Sequence, residues 1–287
     1  PLALALFVVA LIVFFKRSSS SKKKKSSTFN SITDKFTSLD EVTNALREAG
    51  LESSNLILAI DYTASNESQG SRTFGGKCLH AVSNDLMNPY QRVISVVGRT
   101  LSKFDEDGFI PAFGFGDIHT KDYDVFPLSP SQLQDPRGYF HSGLGASYCN
   151  GVDEVLRVYN AITPHVKLSG PTNFAPVIKK AIEIVSARPK PEYHILVIVA
   201  DGQVVNEKET EDAIVEASNY PLSIILIGVG DGPWDTMETY DDELPQRRFD
   251  NFQFVNYNDV MKTHGASKQD IAFALASLME LPEQYKQ

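Results

Sequence analysis

Three stretches of the chain are apolar almost without interruption and stop at an acid or a glycine. They are Asn55 to Asp61, His194 to Ala200 ahead of Asp201-Gly202, and Leu222 to Val229 ahead of Gly230-Asp231. Runs of this length without alternation are strands buried on both faces, the habit of a parallel sheet covered by helices. Ile110 to Asp117 and Phe252 to Val255 read as further strands, and Asp124-Val125-Phe126 as a short edge strand. Between the strands the apolar period changes to that of a helix. Ser38-Leu39-Asp40-Glu41 is a capping box opening a helix with Leu39, Val42 and Leu46 inward, which stops at Gly50. Asn88-Pro89 opens a second helix, with Val93, Val97, Leu101 and Phe104 as its buried stripe. Val152 to Ile162, Phe174 to Val185 and Glu209 to Asn219 follow, and Ser267-Lys268-Gln269-Asp270 caps a last helix that ends before Pro282. Strands alternating with helices at this spacing predict an α/β fold: a doubly wound, mostly parallel sheet with helices on both faces. Two stretches lack period. Asn66 to Asn88 reads as a long loop with a short edge strand in its middle, and Pro127 to Ser147 as an exposed insertion.

Composition narrows the class without changing the fold. The chain has 287 residues, 42% hydrophobic and 22% charged, enough for one large α/β domain plus tails. A net charge of −9 argues against a nucleic-acid-binding surface, which needs a basic face. The two cysteines, Cys78 and Cys149, lie far apart, which makes neither a disulfide framework nor a zinc site and favours a reducing compartment.

The amino-terminal segment stands apart. Leu2 to Phe15 is unbroken apolar sequence, followed by Lys16-Arg17, a serine run and Lys22 to Lys25. It falls about five residues short of the roughly 20 that a spanning helix needs. A cleaved signal peptide carries its positive charges ahead of the apolar core, and here they follow it. The expectation is a membrane anchor over 1–15, a Ser/Lys linker over 16–37 and a folded domain over 38–287 held on the cytoplasmic side. An interfacial tether, with residues 1–25 resting on anionic lipid, is the alternative.

Candidate chemistry gathers where the first strand ends. Asp61, Thr63 and Ser65 put one carboxylate and two hydroxyls on the loop leaving that strand. The carboxyl edge of an open α/β sheet is where ligands bind. Thr172, which follows a Gly-Pro turn, and Asp201 reach the same edge. Two carboxylates and three hydroxyls are hard oxygen donors, suited to Mg²⁺ or Ca²⁺ rather than zinc, with water completing the shell. Taken singly, each has a plainer explanation as a turn or cap residue; the convergence of three loops carries the reading. Two enzyme alternatives are weaker. A phosphatase of the haloacid-dehalogenase type wants a second acid two residues after the first, and Thr63 stands there. Gly228-Val229-Gly230-Asp231-Gly232 hints at a nucleotide loop, but Pro233 occupies the place of its third glycine. Cys78 and His80 read as a packed loop pair, with no third group to orient them.

Asp61-x-Thr63-x-Ser65, Thr172 and Asp201-Gly202 together resemble the metal-ion-dependent adhesion site of von Willebrand factor A domains. Gly170-Pro171-Thr172-Asn173-Phe174-Ala175-Pro176, Gly114-Phe115-Gly116-Asp117 and Gly228 to Trp234 resemble the A domain of copines. These segments, with Ser38 to Thr43 and Gly50 to Leu56, also resemble the plant RING-domain ubiquitin ligases built on a copine-like A domain. The resemblance runs from about Leu39 to Tyr285. It implies a von Willebrand factor A-like fold binding Mg²⁺ (or Mn²⁺ or Ca²⁺) through Asp61, Thr63, Ser65, Thr172 and Asp201. It further implies recognition of a partner protein that presents an acidic residue, so the expectation is a binding module rather than a catalyst. The paired calcium-dependent lipid-binding domains of copines and the cysteine-rich RING of the plant ligases have no counterpart in these residues. The alternative is therefore the substrate-recognition part of a ubiquitin ligase.

Overall fold

The computed structural model describes residues 33–287 apart from 34, 84, 142–147, 203 and 245. The expected anchor over 1–15 and most of the expected linker lie outside the described residues. Among the described residues no helix is long and apolar enough to cross a membrane.

A six-stranded sheet carries the architecture. Its parallel strands are β1 (Asn55–Asp61), β3 (Ala112–Phe115), β6 (His194–Ala200), β7 (Leu222–Gly228) and β8 (Phe252–Asn256), with β4 (Phe126–Pro127) antiparallel on one edge. Their order is β4-β3-β1-β6-β7-β8. The chain builds outward from β1 in one direction and then restarts on its other side with β6. The crevice between the carboxyl ends of β1 and β6 is therefore the topological switch point. A separate two-stranded sheet pairs β2 (Phe109–Ile110) with β5 (Cys149–Asn150).

Alternation along the central strands feeds two cores. Leu56, Leu58 and Ile60 of β1 join Ile195, Val197 and Val199 of β6 on one face. That face packs on α1 (Leu39–Glu48), α2 (Pro89–Leu101), α3 (Gly151–Ile162) and, near the carboxyl terminus, a helix over Gln269–Leu278. Ile57, Ala59, Leu196, Ile198 and Ala200 point the other way, onto α4 (Ala175–Ser186), α5 (Glu207–Ala217) and α6 (Asp235–Glu243). After β8 come α7 (Tyr257–Thr263), α8 (Gln269–Leu278) and α9 (Leu281–Tyr285). Each Leu, Ile or Val fully buried in this way contributes about 1.5–3 kcal/mol, which is why the central strands show in the sequence so plainly.

Several expectations are corrected. No strand forms among the described residues of 66–88: Phe74 and Gly76 N–H both return to Gly70 O, so local turns consume the backbone groups a strand would need. The Ile110 to Asp117 stretch is two strands, because Pro111 has no N–H to donate and separates β2 from β3. The insertion after Pro127 is not exposed at its start. Leu128, Ser129 and Gln132 are buried, and Gln132 both donates to Pro127 O (2.8 Å) and accepts from Ser129 N (2.8 Å). At α1, Ser38 Oγ accepts from Glu41 N, but the Glu41 carboxylate reaches back to Thr37 N (2.6 Å) rather than to Ser38. Helix α8 starts after Lys268 with no side-chain cap, and Pro282 sits in the first turn of α9, a position where its missing N–H costs nothing. Helices α6 and α7 carried no readable period; in α6 the inward-facing apolar side chains are Met237 and Tyr240.

The edge of the sheet gives a test of this packing. A Cβ at Gly114 would lie 2.2 Å from Cζ of Phe126, a ring that is itself buried on the neighbouring strand. Gly114→Ala is expected to destabilise the domain by about 1–3 kcal/mol, read as a lower urea midpoint with an unchanged slope. An unchanged midpoint would contradict the packing.

Candidate metal centre

All five residues singled out from the sequence meet at the switch point. Asp61 ends β1 fully buried, and its Oδ1 accepts from the Thr63 N–H at 2.8 Å, an Asx turn that bends the chain off the strand. The 3-10 turn Ala64–Glu67 then brings Ser65 back toward β6. From the other side, Ala64 N donates to Ser169 O (2.7 Å), which ties this loop to the segment carrying Thr172. The side chains form one directed chain. Thr172 Oγ1 donates to Thr63 Oγ1 (3.4 Å), Thr63 and Ser65 hydroxyls are 3.0 Å apart, and Ser65 Oγ donates to Asp201 Oδ1 (3.0 Å).

The carboxylates have no comparable satisfaction. Asp61 Oδ2 and Asp201 Oδ2 are buried and have no hydrogen-bond partner. Burial pushes the Asp61 carboxyl above its usual range, against the hydrogen bonds from Thr63. Burial raises Asp201 as well, and the nearby Asp61 charge raises it further. Two like charges placed together away from water are unfavourable unless a proton or a cation accompanies them. Among the described residues no group of three or more His, Cys, Asp or Glu side chains is placed to hold an ion. A cation here would have two acids, and the three hydroxyls and water would supply the rest. That donor set, with two orphaned carboxylate oxygens, fits Mg²⁺ or Mn²⁺. A cavity of about 320 Å³ opens beside Thr63, Ser65 and Thr172, with Pro171, Val205 and Pro233 on its rim.

The structure adds supporting residues that periodicity did not reveal. His80 is fully enclosed between the Tyr62 and Tyr90 rings, at centroid distances of 4.6 and 4.1 Å. Its Nε2 lies 2.7 Å from Asp61 O, and a carbonyl only accepts, so Nε2 carries the proton and Nδ1 accepts from Tyr159 OH (2.8 Å). Burial drives its pKa down to about 3, which keeps the ring neutral. Asn66 Nδ2 donates to Asp61 O and Thr63 O while its Oδ1 accepts from Tyr90 OH (2.7 Å). His80 and Asn66 thus fix the backbone on which the site is built. The reading of Cys78 and His80 as a packed pair holds for the packing of His80 and missed its partner, Asp61.

The glycine-rich segment after β7 serves the same site. A Cβ at Gly230 would sit 2.0 Å from Asp201 O, so only glycine lets this strand end approach the next. Asp231 then accepts from Ser71 Oγ (2.8 Å), Thr73 Oγ1 (2.6 Å) and the Arg72 and Thr73 N–H groups. These bonds pin the loop after β1 to the loop after β7.

With the fold and site in place, comparison with known proteins is decisive for the family. The Copine family model matches residues 78–287. The chain belongs to the copine family. It is 51% identical over 271 residues to the E3 ubiquitin-protein ligase RGLG5 of Arabidopsis thaliana, covering 90% of this chain and 59% of that protein. It is 53% identical over 251 residues to Copine family protein 2 of Caenorhabditis elegans, covering 88% of this chain and 3% of that protein. The copine chain thus spans less than two thirds of the length of these relatives. Among solved structures, the von Willebrand factor type A protein from Catenulispora acidiphila is similar at a TM-score of 0.45 with 13% identity, over 79% of this chain and 43% of that one. The copine resemblance read from the sequence is borne out by the family match and the relatives.

The raised carboxyls fix a sign. An aspartate whose folded pKa lies above its unfolded value binds more protons when folded, so stability falls as pH rises from the ordinary carboxylate range through neutrality. In chelator, the thermal midpoint of this copine domain is expected to fall over that window. Asp201→Asn is expected to flatten the fall and to raise the metal-free midpoint at neutral pH. A metal-free wild type that grows more stable with rising pH would contradict the arrangement.

Proposed function

We propose that this copine domain is a cation-dependent protein-recognition module. Asp61, Thr63, Ser65, Thr172 and Asp201 hold Mg²⁺, or Mn²⁺ in vitro, and the partner contributes an acidic side chain. The observation that carries the reading is the pair of buried, unpartnered carboxylate oxygens on Asp61 and Asp201 beside an open cavity lined by hydroxyls. When bound, the cation supplies a positive coordination position that a partner carboxylate can complete, a contact an empty site does not make. The chain's own residues do the remaining work. The Thr172-Thr63-Ser65 hydroxyl chain keeps lone pairs turned to the cavity. His80 and Asn66 hold the Asp61 backbone, and the Asp231 clasp holds the surrounding loops. A reaction would need a nucleophile or an acid and base set against substrate, and the second acid a phosphatase would use is replaced by Thr63.

A second reading is favoured by one observation, the 51% identity to RGLG5 over 59% of that protein's length. In it the A domain selects substrates for ubiquitin transfer by a RING on the same gene product. Transcript sequence past the codon for Gln287 decides it: cysteines and a histidine at zinc spacing support the ligase, and an immediate stop codon removes it.

Calorimetry tests the principal reading. Wild-type protein is expected to bind Mg²⁺ or Mn²⁺ at one site, and Asp61→Asn and Thr63→Ala to weaken binding by about tenfold or more. Capture of partners from an extract is expected to be lost in chelator and in both variants. Metal affinity equal in wild type and variants would overturn it.

A further inference from the structure

We propose that a groove on the flank of the domain, separate from the metal centre, is a docking surface for an acidic protein segment that carries a large apolar side chain. The proposal goes beyond the cation-dependent reading and does not rest on it. The groove has a volume of about 310 Å³ and lies between the loop bearing Arg72 and Phe74, the loop bearing Leu86 and Met87, and helix α7 with Met261 and Lys262. Leu86 and Met87 are 56% and 50% exposed on its lip. Exposed apolar side chains are ordinary when scattered; clustered on the lip of a concavity they mark a contact surface. The two methionines give the walls adaptable, polarizable side chains, suited to receiving an apolar group of variable shape.

Charge says what accompanies that group. Arg72 lies 3.6 Å from Asp231 and Arg92, which also lines the groove, 2.7 Å from Asp270, so both are already paired. The Lys262 side chain is exposed, and its ammonium makes no ion pair or hydrogen bond among the described residues. Asp85 and Asp259 are neighbours in sequence but do not line the groove. Lys262 is therefore the lining cation that, among the described residues, stands without a carboxylate partner, and it marks where an incoming negative charge would sit. A carboxylate on the incoming segment would meet Lys262 and the two guanidinium groups, which retain donors beyond their present partners. A flat anionic membrane would meet the cations but leave the concavity unfilled, so the shape favours a peptide.

The test is selection of a random dodecapeptide display library on the full chain in the presence of chelator, which silences the metal centre. Enriched peptides are expected to combine Asp or Glu with Leu, Phe or Met. As synthetic peptides they are expected to lose about tenfold or more affinity for Lys262→Glu and for Met87→Ser, while adding Mg²⁺ leaves their affinity unchanged. Both replaced side chains are exposed, so both variants should keep the wild-type thermal midpoint. Failure to enrich any peptide, enrichment without the acidic and apolar signature, or equal binding to wild type and variants would overturn the proposal. So would binding to phosphatidylserine vesicles that the two variants abolish, which would assign the groove to a membrane. A metal centre that fails its own calorimetric test would leave this result untouched.

Discussion

Two aspartates buried side by side at the ends of adjacent central strands are an unfavourable pairing, and much of the surrounding structure holds them there. Each carboxylate keeps one oxygen satisfied, Asp61 by the Thr63 amide and Asp201 by the Ser65 hydroxyl, and each keeps one without a partner. A buried anion with an unmet oxygen costs several kcal/mol, so the arrangement is stable in proportion to what neutralises it. Protonation is one route and a divalent ion the other. Only the second leaves the carboxylates ionised at neutral pH, and only the second connects the cost of the site to the proposed recognition.

The cost is concentrated where the fold is most rigid. β1 and β6 are completely buried and pair over six registered positions, so the loops that leave them start from fixed points. Behind β1 the stacked Tyr62, His80 and Tyr90 rings form a dry wall, and the neutral imidazole ties the Asp61 carbonyl to Tyr159. In front, Asp231 gathers the backbone and hydroxyls of 71–73. The same clasp places Gln69 on the cavity beside Thr63 and Ser65 and Arg72 on the flanking groove, so the two concavities share one supporting loop.

The sequence made the centre of the fold legible because continuous burial leaves a continuous apolar signature. β6 was readable to the residue, and β7 and β8 nearly so. The meeting of the five candidate residues at one sheet edge was readable for the same reason, since each follows a break in a strong strand or precedes a strong helix. What stayed hidden depends on contacts distant in sequence. β2 and β5 have two residues each, too few for any period, and they meet across the 127–147 insertion. α6 buries too few side chains to stand out from a polar loop. His80 and Asn66 sit in a stretch with no pattern at all, and their role follows only from where the 66–88 loop returns, over the backbone of Asp61. A buried histidine near an isolated cysteine carried no signal for that.

The central claim is that the two orphaned carboxylate oxygens belong to a cation site, and anomalous X-ray scattering from crystals soaked in Mn²⁺ tests it most directly. One manganese peak is expected at the carboxyl ends of β1 and β6, in contact with Ser65, Thr63 and at least one of Asp61 and Asp201. The peak is expected to disappear in Asp61→Asn crystals. A peak elsewhere on the surface, with Asp61 and Asp201 sharing a proton and no metal between them, would contradict it.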